Sequence, residues 1–349
     1  MRRYNITEGE SGLTDLLQVD RLRVEYASGR GSVRAVDDIS FTIGKGEIFG
    51  LAGESGCGKS TTAFAVARLL RPPARIAGGS VKLDGTELTG LSDAQFDRIR
   101  WSRMSIVLQS AMNNLNPVMK IGDQLADSIL AHQPMTMKEA YGEAKRLLEL
   151  VDLPYDRLGS FPHELSGGMR QRVVIAMALA LNPSLVIMDE PTTALDVVVQ
   201  RGIIRKIVQL QQKFGFSILF ITHDLPLMLE MCGRIGIMYA GKLVETADRD
   251  SLLRHPKHPY TQGLLNSFPS LTGPKSKLIG IPGHPPDLIT PPPGCKFHPR
   301  CSHVLPVCSR IVPELRLHGR QDVSCHLYTE EGIGHEQASA ASEQSQQSI

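Results

Sequence analysis

The sequence predicts an α/β protein with a parallel β-sheet that is covered by helices on both faces. Three apolar runs, at residues 48–52, 185–188 and 217–222, are separated by segments with helical spacing. Strands that are apolar throughout are typical of parallel sheets buried on both sides. Because ligands of such sheets bind outside the carboxyl ends of the strands, we expect the functional residues at that edge.

The first apolar run leads into a glycine-rich loop, residues 53–60 (Gly-Glu-Ser-Gly-Cys-Gly-Lys-Ser), and then into a helix predicted over residues 61–70. This G-x-x-x-x-G-K-S pattern lets successive backbone N–H groups face one concavity, and the helix adds its positive end. The pattern predicts that Lys59 contacts the β- and γ-phosphates of a nucleotide and that Ser60 ligates Mg²⁺. An ordinary glycine-rich turn is the alternative.

Polar side chains follow the other two apolar runs. Asp189 and Glu190 come directly after one run, and His223 follows the other. An acid pair can simply be solvated, and a single histidine can simply be a satisfied polar residue. Their occurrence together, each at the end of a predicted buried strand, indicates one site beside the glycine-rich loop. A Ser-Gly-Gly segment at residues 166–168 opens a further helix and offers a second anion-binding helix start.

The remaining sequence predicts the domain organisation. Residues 1–18 form a polar lead-in, and a small antiparallel sheet with Leu22, Val24 and Tyr26 on one face precedes the glycine-rich loop. Residues 92–170 are predicted to be mainly helical, with capping boxes at Ser92 and Thr136.

The composition of residues 251–349 predicts how this part of the chain is organised. Residues 251–328 are rich in proline and predict a small accessory domain without a large core, and residues 329–349 predict a disordered tail.

Composition and charge argue against several classes of function. The 349 residues include 38 basic and 36 acidic side chains, so the net charge of +2 provides no electrostatic footprint for nucleic acid. No run of eighteen apolar residues predicts a membrane span, and the amino end does not read as a secretory signal. We therefore expect a cytosolic subunit of two domains.

Four of the six cysteines, Cys295, Cys301, Cys308 and Cys325, lie within 31 residues. In a reducing cytosol this clustering favours metal binding over disulfides. The intervals of five, six and sixteen residues lack the close pairs of structural zinc sites, so they favour a [4Fe–4S] cluster over Zn²⁺. Free or oxidised thiols are the third alternative.

The ordered motifs resemble the nucleotide-binding subunits of ABC transporters over residues 19–250. They are the 53–60 loop, Gln109, the 165–169 segment (Leu-Ser-Gly-Gly-Met), the 185–190 strand end, the 194–196 segment (Ala-Leu-Asp) and His223. Residues 254–265 and 293–301 resemble the carboxyl-terminal extension of the oligopeptide/dipeptide-importer ATPases, which carries the likeness to about residue 328. Met169 and the 173–179 run resemble the D-type subunit of the dipeptide permeases.

The resemblance implies a P-loop NTPase cassette with a RecA-like parallel core, an antiparallel β subdomain, a helical insertion and a small Cys-rich domain. It implies catalytic roles for Glu190, His223, Gln109 and Lys59, and a Mg²⁺ site at Ser60, Gln109 and Asp189. The ATP-contacting residues that it implies are Tyr26, Gly53, Ser55, Gly56, Cys57, Gly58, Lys59, Ser60, Thr61, Gln109, Ser166, Gly167, Gly168, Asp196 and His223. Tyr26 is equally well interpreted as a strand aromatic packed on the core.

The resemblance also implies partners. These are a second ATP-binding subunit (an F-type heterodimer partner), two transmembrane permease subunits and an extracytoplasmic substrate-binding protein, with this chain peripheral on the cytoplasmic face of the membrane. Ser166, Gly168 and Asp196 would close on ATP bound to the opposing subunit. Similar importer subunits carry a [4Fe–4S] cluster at the four cysteines.

Three alternatives remain open. The cargo could be nickel or a sugar instead of di- or oligopeptides. The chain could be a non-transport ABC ATPase acting on nucleic acid, against which the near-neutral charge argues. It could be a redox or iron sensor that uses ATP as a switch, against which Glu190 argues.

Overall fold

The computed structural model of the chain describes residues 15–29, 31–193, 195–267 and 280–329. Its strands are β1 (Asp15–Ser28), β2 (Gly31–Gly44), β3 (Ile48–Ala52), β4 (Ala74–Leu83), β5 (Thr86–Glu87), β6 (Met104–Val107), β7 (Leu185–Asp189), β8 (Ser217–Ile221), β9 (Arg234–Tyr239), β10 (Lys242–Asp248), β11 (Arg316–His318) and β12 (Gln321–Val323). Its α-helices are α1 (Lys59–Val66), α2 (Asp93–Asp97), α3 (Ile121–Leu130), α4 (Met137–Leu150), α5 (Gly167–Leu179), α6 (Val197–Phe214), α7 (Leu225–Met231), α8 (Arg249–Arg254) and α9 (Pro259–Asn266).

The larger sheet has the strand order β11-β12-β10-β9-β3-β8-β7-β6. From β9 to β6 all neighbours are parallel, and β3, β7 and β8 are buried along their whole length. Asp189 pairs with Ile221, so β7 and β8 end at the same edge. The predicted α/β class with a buried parallel sheet is confirmed.

The smaller sheet is antiparallel, in the order β2-β1-β4-β5. Leu22 and Val24 are fully buried in it, and Phe41 of β2 stacks on Phe49 of β3 with ring centroids 5.2 Å apart. This confirms the predicted antiparallel sheet. Strand β1 begins at Asp15, so the last four residues of the predicted lead-in belong to a strand, and residues 1–14 lie outside the described part of the chain.

Two helices between residues 92 and 170 begin at the predicted capping residues. Both predicted capping boxes form, at Ser92 with Gln95 and at Thr136 with Glu139. The mainly helical segment 92–170 also contains a strand, β6, as the largely apolar run 104–108 predicts, and β6 pairs in parallel with β7 of the larger sheet. The helix after the glycine-rich loop is shorter than predicted, because α1 ends at residue 66.

The segment after residue 250 is not the separate, core-poor unit that the sequence predicts. Strand β12 pairs with β10 through Glu245↔Val323 and Thr246↔Asp322, which extends the larger sheet. Phe297 of this segment is buried in the main hydrophobic core. The predicted disordered tail lies outside the described residues from 330 onwards. Within the described ranges, no helix has the length and apolarity needed to span a membrane.

Candidate nucleotide site

The phosphate loop (residues 53–60) connects β3 to α1 and requires glycine at two points. Gly53 and Gly58 have φ angles of +149° and +106°. A Cβ atom at Gly53 would come within 2.2 Å of the Met238 carbonyl oxygen, and one at Gly58 would come equally close to that of Ala35. Only glycine therefore lets the loop lie this close to its neighbours.

Lys59 is the first residue of α1 and is buried. Its Nζ atom donates to the carbonyl oxygens of Gly53, at 2.8 Å, and Glu54, at 3.0 Å. The N–H groups of the first helical turn have no intrahelical acceptor. Ser55 and Gly56 are exposed, whereas Cys57 is buried, and burial raises the pKa of its thiol. The loop thus combines a cation with free N–H donors, which suits a phosphate.

Ser60 and Asp189 form the second part of the site. The Ser60 hydroxyl donates to Asp189 Oδ1 at 3.0 Å. Asp189 ends β7 and is 1% exposed; burial and then the neighbouring charge of Glu190 raise the pKa of its carboxyl group. A hydroxyl and a carboxylate are the oxygen ligands that Mg²⁺ uses beside phosphates, so these residues fit the predicted ion.

Glu190 is the centre of a polar network. Its Oε2 atom accepts hydrogen bonds from Gln109 Nε2, at 2.9 Å, and Thr193 Oγ1, at 3.0 Å. Its Oε1 atom lies 3.1 Å from Nδ1 of His223. Glu190 itself has φ +47°, an unusual value for a non-glycine residue. The strand ends thus bring Gln109, Glu190 and His223 together.

Two contacts of this network were not predicted. Nε2 of Gln109 donates to Glu190, and the role of Gln109 as a Mg²⁺ ligand stays a prediction. Thr193 is a contact that sequence reasoning missed, although its position three residues after Glu190 in a turn is a usable signal.

Tyr26 lies beside the phosphate loop. Its hydroxyl is 3.3 Å from Oγ1 of Thr61, the residue that follows the loop. The Tyr26 side chain is half-buried and packs against the core of the smaller sheet. The structure thus shows the core packing of Tyr26, and adenine stacking stays a prediction.

The Ser-Gly-Gly segment lies beside Asp196. Ser166 caps α5 and Asp196 caps α6, each accepting from N–H groups of its own first turn. A Cβ atom at Gly168 would meet Cγ1 of Val199 at 2.6 Å, so the starts of α5 and α6 pack closely. Ala194 lies outside the described residues. Within the described residues, no hydrogen bond or ion pair joins this segment to the phosphate loop.

The four carboxyl-terminal cysteines are free thiols, of which Cys308 and Cys325 are buried and Cys295 and Cys301 are half-buried. Burial raises the pKa of the Cys295 thiol to about 11 and that of Cys325 to about 12, and the charges of the neighbouring cysteines contribute in the same direction. The Cys295 N–H donates to the Cys308 carbonyl oxygen at 2.8 Å. In the part of the chain that the structure describes, no three His, Cys, Asp or Glu side chains are arranged to hold a metal ion. The geometry therefore gives no support to the predicted iron–sulfur or zinc centre.

The parallel sheet places a phosphate loop, a Mg²⁺-compatible pair and a hydrogen-bonded glutamate at one edge, and this combination is typical of P-loop enzymes that hydrolyse nucleotides. The "ABC transporter" family model matches residues 36–193. The "Oligopeptide/dipeptide transporter, C-terminal region" model matches residues 244–308. The chain belongs to the ABC transporter ATP-binding proteins, in the group that carries this carboxyl-terminal region.

The similar proteins agree with this assignment. The chain is 43% identical to the oligopeptide transport ATP-binding protein OppD of Salmonella typhimurium, over 85% of this chain and 89% of that protein. It is 43% identical to the dipeptide transport ATP-binding protein DppD of Bacillus subtilis, over 85% of this chain and 90% of that protein. The dimeric ATP-binding cassette MJ0796 bound to ADP and Pi superimposes with a TM-score of 0.61 at 26% identity, covering 67% of this chain and 98% of that one.

Proposed function

We propose that this chain is the ATP-hydrolysing subunit of an importer of di- and oligopeptides, bound to the cytoplasmic face of a membrane. The observation that carries the ATPase role is the Glu190 carboxylate, held by Gln109, Thr193 and His223 beside the Ser60–Asp189 pair. The names of the relatives and the match over residues 244–308 support the peptide cargo.

The mechanism follows from where the charges lie. Lys59 would exchange its two loop carbonyls for the β- and γ-phosphates. Ser60 and Asp189 would hold Mg²⁺, which offsets phosphate charge. Glu190 would take a proton from the attacking water while its contact to His223 keeps it oriented. Positioning and electrostatic stabilisation supply most of the catalysis in phosphoryl transfer.

The partners follow from the incomplete site. Ser166, Gly168 and Asp196 lie at the starts of α5 and α6, without a hydrogen bond or ion pair to this chain's own phosphate loop among the described residues. We propose that they contact ATP held by a second ATP-binding subunit of the F type, with Tyr26 at the adenine. Two permease subunits and an extracytoplasmic substrate-binding protein would complete the importer.

The test is transport by the whole complex. Proteoliposomes containing this chain, its ATP-binding partner and the permease should take up a labelled di- or oligopeptide from the loaded binding protein while hydrolysing ATP. Lys59→Ala should abolish uptake and nucleotide binding together, because it removes the phosphate-contacting cation. Uptake of nickel or a sugar instead of peptides would refute the cargo, and full ATPase activity of this chain alone would refute the shared site.

We further propose that Cys295, Cys301, Cys308 and Cys325 bind a [4Fe–4S] cluster, with Zn²⁺ as the alternative. The clustering of the four cysteines within 31 residues supports this proposal, as do the backbone N–H groups that donate to the Sγ atoms of Cys301 and Cys308 at 3.4 Å. Anaerobically purified protein should absorb near 400 nm and hold about four irons per chain. Cys325→Ser should lose the iron, whereas Cys232→Ser, a buried cysteine elsewhere, should keep it. One zinc and no iron would refute the cluster.

A further inference from the structure

Glu54, the second residue of the phosphate loop, is held from three sides. Its backbone N–H donates to the Tyr260 hydroxyl at 2.8 Å. Its carboxylate accepts from Nη1 and Nη2 of Arg300 at 2.8 and 3.0 Å. Its carbonyl oxygen accepts from Lys59 at 3.0 Å. Two of these three partners, Tyr260 and Arg300, belong to the carboxyl-terminal segment.

Arg300 is fixed by the rest of that segment and by the core. Its side chain is 6% exposed, its Nε donates to the Pro282 carbonyl oxygen at 2.7 Å, and its Nη1 lies 3.2 Å from the Tyr239 hydroxyl. A guanidinium with this set of acceptors has one favourable orientation, and that orientation presents a bidentate fork to Glu54. The orientation of the Arg300 fork is therefore set by residues of this chain.

Tyr260 is equally immobile. Its ring is fully buried, with centroids 4.6 Å from Tyr239 and 5.4 Å from Phe297. Packing of this kind restricts an aromatic side chain to one rotamer. The hydroxyl that accepts the Glu54 N–H is consequently set by the core.

Lys59 is the member of the three contacts that has to change partners when a phosphate binds. To reach a phosphate, its Nζ atom leaves the carbonyl oxygens of Gly53 and Glu54, which are then released from their only side-chain donor among the described residues. A glycine-rich loop loses much conformational freedom on ordering, so an unrestrained loop would bind phosphate more weakly. The contacts of Glu54 to Tyr260 and Arg300 do not involve Lys59 and can persist when it moves.

We propose that Arg300 and Tyr260 are positioning residues for ATP binding, which hold the phosphate loop through Glu54 in the conformation that receives the nucleotide. The inference rests on the proposed ATPase function and adds to it that the carboxyl-terminal segment sets nucleotide affinity. Neither residue touches ATP. Their effect is on the affinity for ATP and not on the chemical step, so the KM for ATP rises while kcat in the assembled complex is kept.

The experiment measures the Kd of the full-length chain for ATP, with Mg²⁺, by titration calorimetry. Arg300→Met and Glu54→Gln are each expected to weaken binding about tenfold, the scale of one charge-assisted hydrogen bond. The double variant should bind no more weakly than either single one, because the two changes remove the same interaction. Arg316→Met is the matched control, since Arg316 pairs at 2.8 Å with the exposed Glu314 in the same segment and should leave the Kd unchanged.

Tyr260→Phe is a second test variant that should still fold, because it deletes one hydroxyl and keeps the packed ring. We expect it to weaken ATP binding severalfold without changing the melting temperature by more than the hydroxyl contact accounts for. Unchanged Kd values in folded Glu54→Gln and Tyr260→Phe variants would overturn the inference, as would strictly additive effects in the double variant. Failure of the wild-type chain to bind ATP would refute the proposed function itself.

Discussion

Replacement of Glu190 by glutamine tests whether this residue is the general base of ATP hydrolysis or only holds the site together. The carboxylate accepts from Gln109 and Thr193 on one oxygen and lies beside His223 on the other. A glutamine can keep its oxygen toward Gln109 and Thr193 and direct its amide to the histidine ring, which accepts in the appropriate tautomer. The substitution therefore preserves the contacts, and the loss of folding stability should be about 1 kcal/mol or less.

The effect on turnover should be far larger. An amide cannot take the proton of the attacking water, and a positioned general base contributes about 10²- to 10⁴-fold to a rate. That range corresponds to about 2.7 to 5.4 kcal/mol of activation free energy. The two expected effects do not overlap, so their sizes distinguish a base from a structural residue.

The assay combines steady-state ATP hydrolysis by the assembled complex with ATP binding by the same preparation. Glu190→Gln should bind ATP as tightly as the parent and hydrolyse it at least 10²-fold more slowly. Glu149→Gln, on the exposed face of α4, is the matched control and should retain the parental rate. Hydrolysis by Glu190→Gln within about threefold of the parent would refute the assignment of the base.

Two further predictions concern the carboxyl-terminal segment. Phe297→Ala should lower the free energy of unfolding by about 3 to 5 kcal/mol, because the side chain is 3% exposed; urea titration measures this, and a loss as small as that of the exposed Leu317→Ala would contradict it. Burial lowers the pKa of His258 from 6.5 to about 3. The unfolded chain alone therefore takes up this proton below pH 6.5, and stability should fall by about 1.4 kcal/mol per unit as the pH drops toward 3. His258→Gln should flatten that part of the pH profile, and an unchanged slope would contradict the prediction.

The sequence predicts secondary-structure elements correctly where a short local motif determines them. An apolar run before a glycine-rich loop, or a serine three residues before a glutamine, fixes backbone geometry over a few residues. Strand β3 and helices α1 and α2 therefore form where they are predicted, although α1 ends four residues earlier than predicted. The parallel order of the central strands also followed from their apolar character.

Long-range pairing was not predictable in this way. The contact between Glu54 and Arg300 joins residues separated by 246 positions, and no spacing rule encodes it. The proline-rich composition after position 250 predicted a domain without a large core, since a sequence pattern does not reveal that Phe297 and Tyr260 pack into the core of the cassette. The hydrogen bond from Nε2 of Gln109 to Glu190 was not predicted, because a resemblance transfers ligand roles but not side-chain contacts.

The continuation of the larger sheet into β12 has a consequence for cooperativity and aggregation. Strand β10 would be an edge strand if the chain ended near residue 250, with Glu245 and Thr246 presenting unpaired backbone groups along a strand that is otherwise largely buried. Exposed edges of that kind recruit other strands and promote intermolecular association. Because β12 covers this edge, a chain truncated after β10 should precipitate or self-associate, and the intact protein should lose its cassette and its extension in a single unfolding transition.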